Sequence, residues 1–161
     1  MSAKIDKTDI AILGTLQRNA GLSQREVAET VGLSQNACWR RIRRMEESGI
    51  IKGSAVRIDR EAVGLDLVAF VLIRTRNHSR EWLKGFRRRI EALAEVTDFY
   101  RIGGNFDYML KVVTGGIGEF DAVYQRLIEE GELDSVTSYF AMEAIVENRP
   151  LAIEPKDRKN S

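Results

Sequence analysis

Between Leu33 and Ile51 the chain reads LSQNACWRRIRRMEESGII. Four arginines, Arg40, Arg41, Arg43 and Arg44, fall in five positions beside Trp39 and the only cysteine, Cys38. Guanidinium groups at this density suit phosphate oxygens and guanine edges, and the amides of Gln35 and Asn36 suit adenine edges. An arginine-rich helix face is also, more simply, a solvated surface. Cys38 offers a different chemistry, that of a nucleophilic thiolate, which needs an adjacent base and partial exposure. The only histidine, His78, belongs to another element, so a buried small hydrophobe is the plainer reading of Cys38. A third constellation is Ile102-Gly103-Gly104-Asn105, followed by Asp107 and Tyr108. Glycine lets backbone amides approach a ligand, and such turns can form anion nests. The simpler alternative is a hairpin turn ending in a surface carboxylate.

Composition limits what these groups can be part of. A chain of 161 residues makes one domain or two small ones. One cysteine excludes an internal disulfide and a Cys-rich zinc site. No apolar run reaches membrane-span length and no signal-peptide core follows Met1, so a reduced cytoplasmic setting away from the membrane is expected. The net charge of +1 hides an asymmetry: residues 1–60 carry 11 Lys+Arg against 7 Asp+Glu, the remainder 14 against 17. A basic front half is where a polyanion would bind. Gly115-x-x-Gly118 is no phosphate loop, because no Gly-Lys-Ser/Thr follows.

Three short helices must position the arginines. Asp6 can cap the first, Asp9 adds favourable charge to its opening turn, and Ile5 and Ile10 occupy hydrophobic-staple positions. Ile10, Leu13 and Leu16 mark its apolar side, and Ala20-Gly21 is expected to end it in a left-handed exit. Ser23 and Glu26 form a capping box for the second helix, whose inner side is Val27, Ala28 and Val31. Gly32-Leu33 is a turn so short that the next helix, capped by Ser34, completes a helix-turn-helix. At about 100° per residue, Cys38, Ile42 and Met45 point inward while Asn36, Arg40 and Arg43 lie opposite, with Arg44 beside them. The first turns of such a helix enter the major groove. Ser34, Gln35, Asn36, Trp39 and Arg40 are then near bases, and Arg43 and Arg44 near phosphates. Gly49 ends this helix, and residues 50–58 are expected to be an extended wing and linker strand.

Residues 5–58 resemble the DNA-binding half of the Lrp/AsnC (feast/famine) family of regulators. The likeness rests on Ile5-Asp6-x-x-Asp9-x-x-Ile12-Leu13, on Val31-Gly32-Leu33-Ser34, and on Cys38-x-x-Arg41-Ile42-x-x-Met45-Glu46-x-x-Gly49-x-Ile51. Where family members often carry prolines early in the recognition helix, this chain has Gln35-Asn36-Ala37.

The back half alternates strand and helix. Residues 65–76 read as a central strand, apolar on both faces. Ser79 can cap a helix to Leu93 with Phe86 and Ile90 inward. Arg87-Arg88-Arg89 fall largely outward, solvated or set against a DNA backbone. Strands follow at 96–102 and 106–114, then a helix bearing Phe120, Tyr124, Leu127 and Ile128 that ends at Gly131, then a strand at 133–146. The order βαββαβ predicts an α+β protein: a winged helix-turn-helix domain (1–60), a ferredoxin-like sheet domain (61–150) and a frayed tail (151–161).

This half is similar to the family's regulatory (RAM) domain through IGGNFDYMLKV and TSYFAME. The stretch FVLIRTRNHSREW further resembles members that control cysteine detoxification. The resemblance implies a DNA-binding transcription regulator with double-stranded operator DNA as partner and a small amino acid as effector. It implies self-association as dimers and octamers (tetramers of dimers), with neither cofactor nor metal. The implied effector residues are Ile102, Gly103, Gly104, Asn105, Asp107, Tyr108, Thr137, Ser138, Tyr139 and Ala141. The chemistry is consistent: backbone amides can meet the effector carboxylate and Asp107 its ammonium. Two other classes stay open, a sequence-tolerant architectural DNA protein and a small amino-acid-metabolising enzyme. The first would bind all sequences nearly equally. The second lacks a nucleophile-base pair or a metal cluster in the sequence.

Overall fold

A computed structural model describes residues 5–129 and 133–154. They form two compact units, one of residues up to Arg57 together with the segment from Val146, the other of Ile58–Ile145.

The first unit holds α1 (Lys7–Arg18), α2 (Gln24–Thr30) and α3 (Gln35–Glu47). Each starts where a side chain can satisfy its free amides. Asp6 and Asp9 form a reciprocal capping box, as do Ser23 and Glu26, and the Ser34 hydroxyl accepts from the Ala37 amide at 3.3 Å. Gly32 follows α2 at φ +69°, a left-handed turn that glycine adopts without strain. Its core is Ile12, Leu13, Val27, Ala28, Cys38 and Met45, all buried. Full burial of such aliphatic side chains is worth about 1.5–3 kcal/mol each.

Three expectations change here. Helix α1 stops at Arg18 with an extended Asn19 cap, and Gly21 is not left-handed. Residues 50–58 form no strand, because no partner strand lies beside them among the described residues, and 52–58 are exposed. The C-terminal segment joins the first unit rather than trailing from the sheet. The Gln17 side chain pairs with the Leu151 main chain through both its groups, at 3.2 and 2.7 Å, and Ile153 packs on the helical core. Residues 155–161, most of the stretch expected to fray, lie outside the described residues, as does Gly131.

The second unit holds a 3-10 turn (Glu61–Val63), β1 (Leu67–Thr75), α4 (Arg80–Glu91), β2 (Val96–Arg101), β3 (Tyr108–Thr114), α5 (Ile117–Ile128) and β4 (Leu133–Phe140). The sheet is antiparallel in the order β2-β3-β1-β4, the expected ferredoxin-like topology. One face packs on the helices through Ala69, Val71, Ile73, Leu110, Val112, Phe86, Ile90, Phe120 and Val123. Trp82 stacks on Phe86, which meets Tyr108 and Phe99. The other face carries Phe70, Tyr100 and Tyr139, each at least a third exposed. Strand β4 ends at Phe140 rather than 146. Phe140 pairs with Ala69 and the Ala141 amide reaches Val68, after which β1 has almost no edge left to extend it.

Candidate nucleic-acid interface and effector site

Helix α3 is fixed from beneath by one carboxylate. Asp9 on α1 is completely buried, and the i, i+3, i+4 spacing places it on the same inner side as Ile12 and Leu13. Its oxygens accept from Arg41 Nη1 at 2.8 Å and Arg44 Nη2 at 2.5 Å, while Oδ2 also takes the Asp6 amide at 3.0 Å. Arg41 Nη1 reaches Asp6 as well, at 2.7 Å. That contact holds the Asp6 carboxyl below the usual carboxylate range, helped by the Asp9 amide, and raises Arg41. Two of the four clustered arginines therefore bind α3 to α1. Arg44 remains half exposed, and a guanidinium held through one nitrogen keeps other donors for a phosphate.

The opposite side of α3 is open. Gln35, Asn36, Trp39 and Arg40 are exposed together on the first two turns. Arg40 has no ion-pair partner among the described residues. Arg43 lies 5.9 Å from the Trp39 ring and 3.7 Å from Glu46, so it supports Trp39 from the next turn. The Ser34 hydroxyl spends one acceptor on capping and keeps its proton for a phosphate. Cys38 is buried and desolvation pushes its thiol pKa up, so it is a core residue and not a nucleophile poised as thiolate.

In the second unit the turn between β2 and β3 is held rigidly. The Asp107 amide donates to Ile73 O and the Ile102 amide to Asp107 O, both at 2.9 Å. Asp107 Oδ2 accepts from the Thr75 amide at 2.8 Å. Arg74, which sequence reasoning missed, donates Nε and Nη2 to Asn105 O at 2.8 and 2.5 Å and lies 5.7 Å from the Phe106 ring. Nothing local marks Arg74, 31 residues away, as the partner of this turn. The amides of Gly103, Gly104 and Asn105 meet no acceptor among the described residues. Gly104 has φ +127°, which disfavours any side chain, and a Cβ on Gly103 would meet nothing within 4 Å.

The other expected effector residues are only partly gathered. Tyr108 is buried among Phe86 and Phe99, burial raises its pKa, and its ring belongs to the core rather than to a lid. Thr137 and Tyr139 face the open side of the sheet. Ser138 faces the helices, and its buried hydroxyl has no partner among the described residues. Ala141 lies just past β4. Within one chain β1 and β3 separate β4 from β2, so the turn and residues 137–141 do not close a pocket together.

Residues 5–52 match the family model for winged helix-turn-helix DNA-binding domains, and residues 68–151 that for the Lrp/AsnC ligand binding domain. The chain is 41% identical over 145 residues to the glutamate uptake regulatory protein of Zymomonas mobilis, covering 90% of this chain and 88% of that one. A crystal structure of an AsnC family transcriptional regulator from Agrobacterium tumefaciens superposes with TM-score 0.88 at 42% identity, over 92% of this chain and 97% of the other. A transcriptional regulator from Neisseria meningitidis in complex with L-Met superposes with TM-score 0.86 at 29% identity, over the same shares.

Proposed function

The chain belongs to the Lrp/AsnC family of transcription regulators, a family that is not enzymatic, and on that footing we propose how its two units divide the work. Helix α3 reads an operator in the major groove. Arg40 takes a guanine edge, Gln35 and Asn36 offer amides to adenine, and Trp39 supplies an apolar surface backed by Arg43. Ser34, Arg43 and Arg44 hold phosphates and set register without reading sequence. The second unit takes an amino acid at the β2–β3 turn.

The observation that carries the effector assignment is the turn itself. Three successive residues hold unclaimed amides on a backbone locked by Arg74 and Asp107, a ready place for a carboxylate. The relative solved with L-Met supports the ligand class. Asp107 already accepts one backbone amide, and its other oxygen remains for an ammonium. Thr137, Tyr139 and Ala141 would reach the same ligand from another copy of the chain, since the turn does not meet them within one, whereas Ser138 faces the helices and takes no part. The exposed Phe70, Tyr100 and Tyr139 on the open sheet face support a dimer through that face, and the family resemblance extends the reading to octamers as tetramers of dimers. A DNA partner supports a cytoplasmic setting for the protein.

The test is operator affinity and sedimentation of the full chain with a panel of amino acids, methionine, glutamate, leucine and cysteine among them. At least one should shift both. A protein that binds none of them in isothermal calorimetry contradicts the effector assignment and leaves the reader untouched.

A further inference from the structure

We propose that the outer face of α4 is a second DNA-binding surface, which holds phosphate backbone by its own row of cations. Arg80, Lys84, Arg87 and Arg88 stand at i, i+4, i+7 and i+8, on one stripe of the helix. With Leu83 and Glu91 they line an open groove of about 370 Å3. All four are exposed, and none has a carboxylate partner among the described residues.

That arrangement is costly for the helix. Several surface arginines elsewhere are paired with carboxylates, Arg25 with Glu29, Arg43 with Glu46, Arg76 with Asp134 and Arg126 with Glu95, whereas this stripe gathers four cations with no such partner among the described residues. On α4 the i,i+4 pairs Arg80–Lys84 and Lys84–Arg88 are like-charged, and such pairs destabilise a helix. Arg80 also occupies the first helical position, where the dipole disfavours a cation. Arg88 in the last turn gains from the dipole, but Arg80 and Lys84 gain nothing from the fold. Nor does overall charge explain them, because residues 61–161 are net acidic.

The chemistry of the stripe selects its partner. Cations four residues apart are spaced about 6 Å along the axis, a row suited to a polyanion rather than to one small anion. The stripe carries no Asn or Gln, the side chains that α3 presents toward adenine edges. A row of guanidinium and ammonium donors with no amide reader among them suits phosphate oxygens, contacts that position DNA without specifying it. A protein partner fits less well, because the fully buried core of an interface is depleted of charge and the one apolar side chain lining this groove, Leu83, is already half-buried. Duplex DNA is the polyanion this protein binds.

The experiment compares wild type with the combined variant Arg80→Gln, Lys84→Gln, Arg87→Gln and Arg88→Gln, and separately with Glu91→Gln. Affinity is measured against salt on a short duplex of about 15 bp that holds one operator half-site, and on a fragment several helical turns longer. The combined variant should show the smaller loss on the short duplex, which offers little backbone outside the half-site. On the long fragment it should lose about tenfold or more, with a salt slope shallower by roughly 2–4, near 0.9 per phosphate released. Glu91→Gln should tighten the long complex. Thermal melting checks folding, and removal of like charges should not lower it. Unchanged affinity and slope on the long fragment would overturn the proposal. So would an equal loss on both duplexes. A change in sedimentation without DNA would instead make the face a contact between copies, and would also overturn it.

Discussion

Asp9 is the residue on which the reader depends most. It is fully buried, and it holds Arg41 and Arg44 with one side chain. Asp9→Asn keeps the shape and removes the charge. Both arginines are part-exposed and can turn to water, so the expected cost is about 1–3 kcal/mol in urea unfolding rather than that of a stranded buried ion. Operator affinity should fall with it, because α3 loses its anchor. Wild-type stability in Asp9→Asn would mean the clamp contributes nothing. Arg40→Ala should leave stability unchanged and cost about 1–3 kcal/mol of operator binding if its contact is bidentate. Equal affinity at fixed salt would remove Arg40 from the reader. Cys38→Ser should cost about 1–3 kcal/mol, since a hydroxyl there must find a partner, and native Cys38 should alkylate slowly. Fast alkylation with loss of DNA binding would contradict its placement in the core.

The helix-turn-helix was legible in the sequence because its signals are local. Capping boxes at Asp6 and Ser23 and the left-handed glycine at Gly32 each lie within a few residues of the helix end they define. The inward arc of Cys38 and Met45 follows from helical spacing alone. Asp9 was half legible: its spacing from Ile12 and Leu13 points inward, but only α3 supplies the arginines that let a carboxylate be buried there. The wing was not legible, because an extended stretch becomes a strand only beside a partner, and 50–58 has none in the described chain. The β2–β3 turn could be read as a turn, but not Arg74 and Thr75, which lock it from β1. Because Asp107 holds this turn and is proposed to meet the effector's ammonium, Asp107→Ala should keep operator affinity and lose the effector response. An unaltered response at the wild-type effector concentration would place the ligand elsewhere. The α1–α3 clamp also carries a pH signature. Asp6 titrates below its ordinary range in the folded state, so its stabilisation is full above that range and fades as the pH falls through the lowered value. Asp6→Asn should therefore flatten the acid limb of the unfolding curve, and an unchanged limb would show that other carboxylates set it.

In the whole molecule, a basic reading unit and a net acidic sheet unit are joined in one chain, and the C-terminal segment returns to the reading unit through Gln17. The exposed aromatic face of the sheet supports the proposed dimer, and an amino acid at the proposed turn site would favour one assembly only through unequal affinity for the alternatives. The most direct measurement is operator binding by the full chain at fixed salt. Its own upstream DNA is compared with scrambled DNA, each with and without the amino-acid panel. The account predicts a preference for the operator of about a thousandfold or more, and a shift of roughly 5–150-fold with at least one amino acid. Equal affinity for both DNAs, unmoved by every amino acid tested, would contradict it.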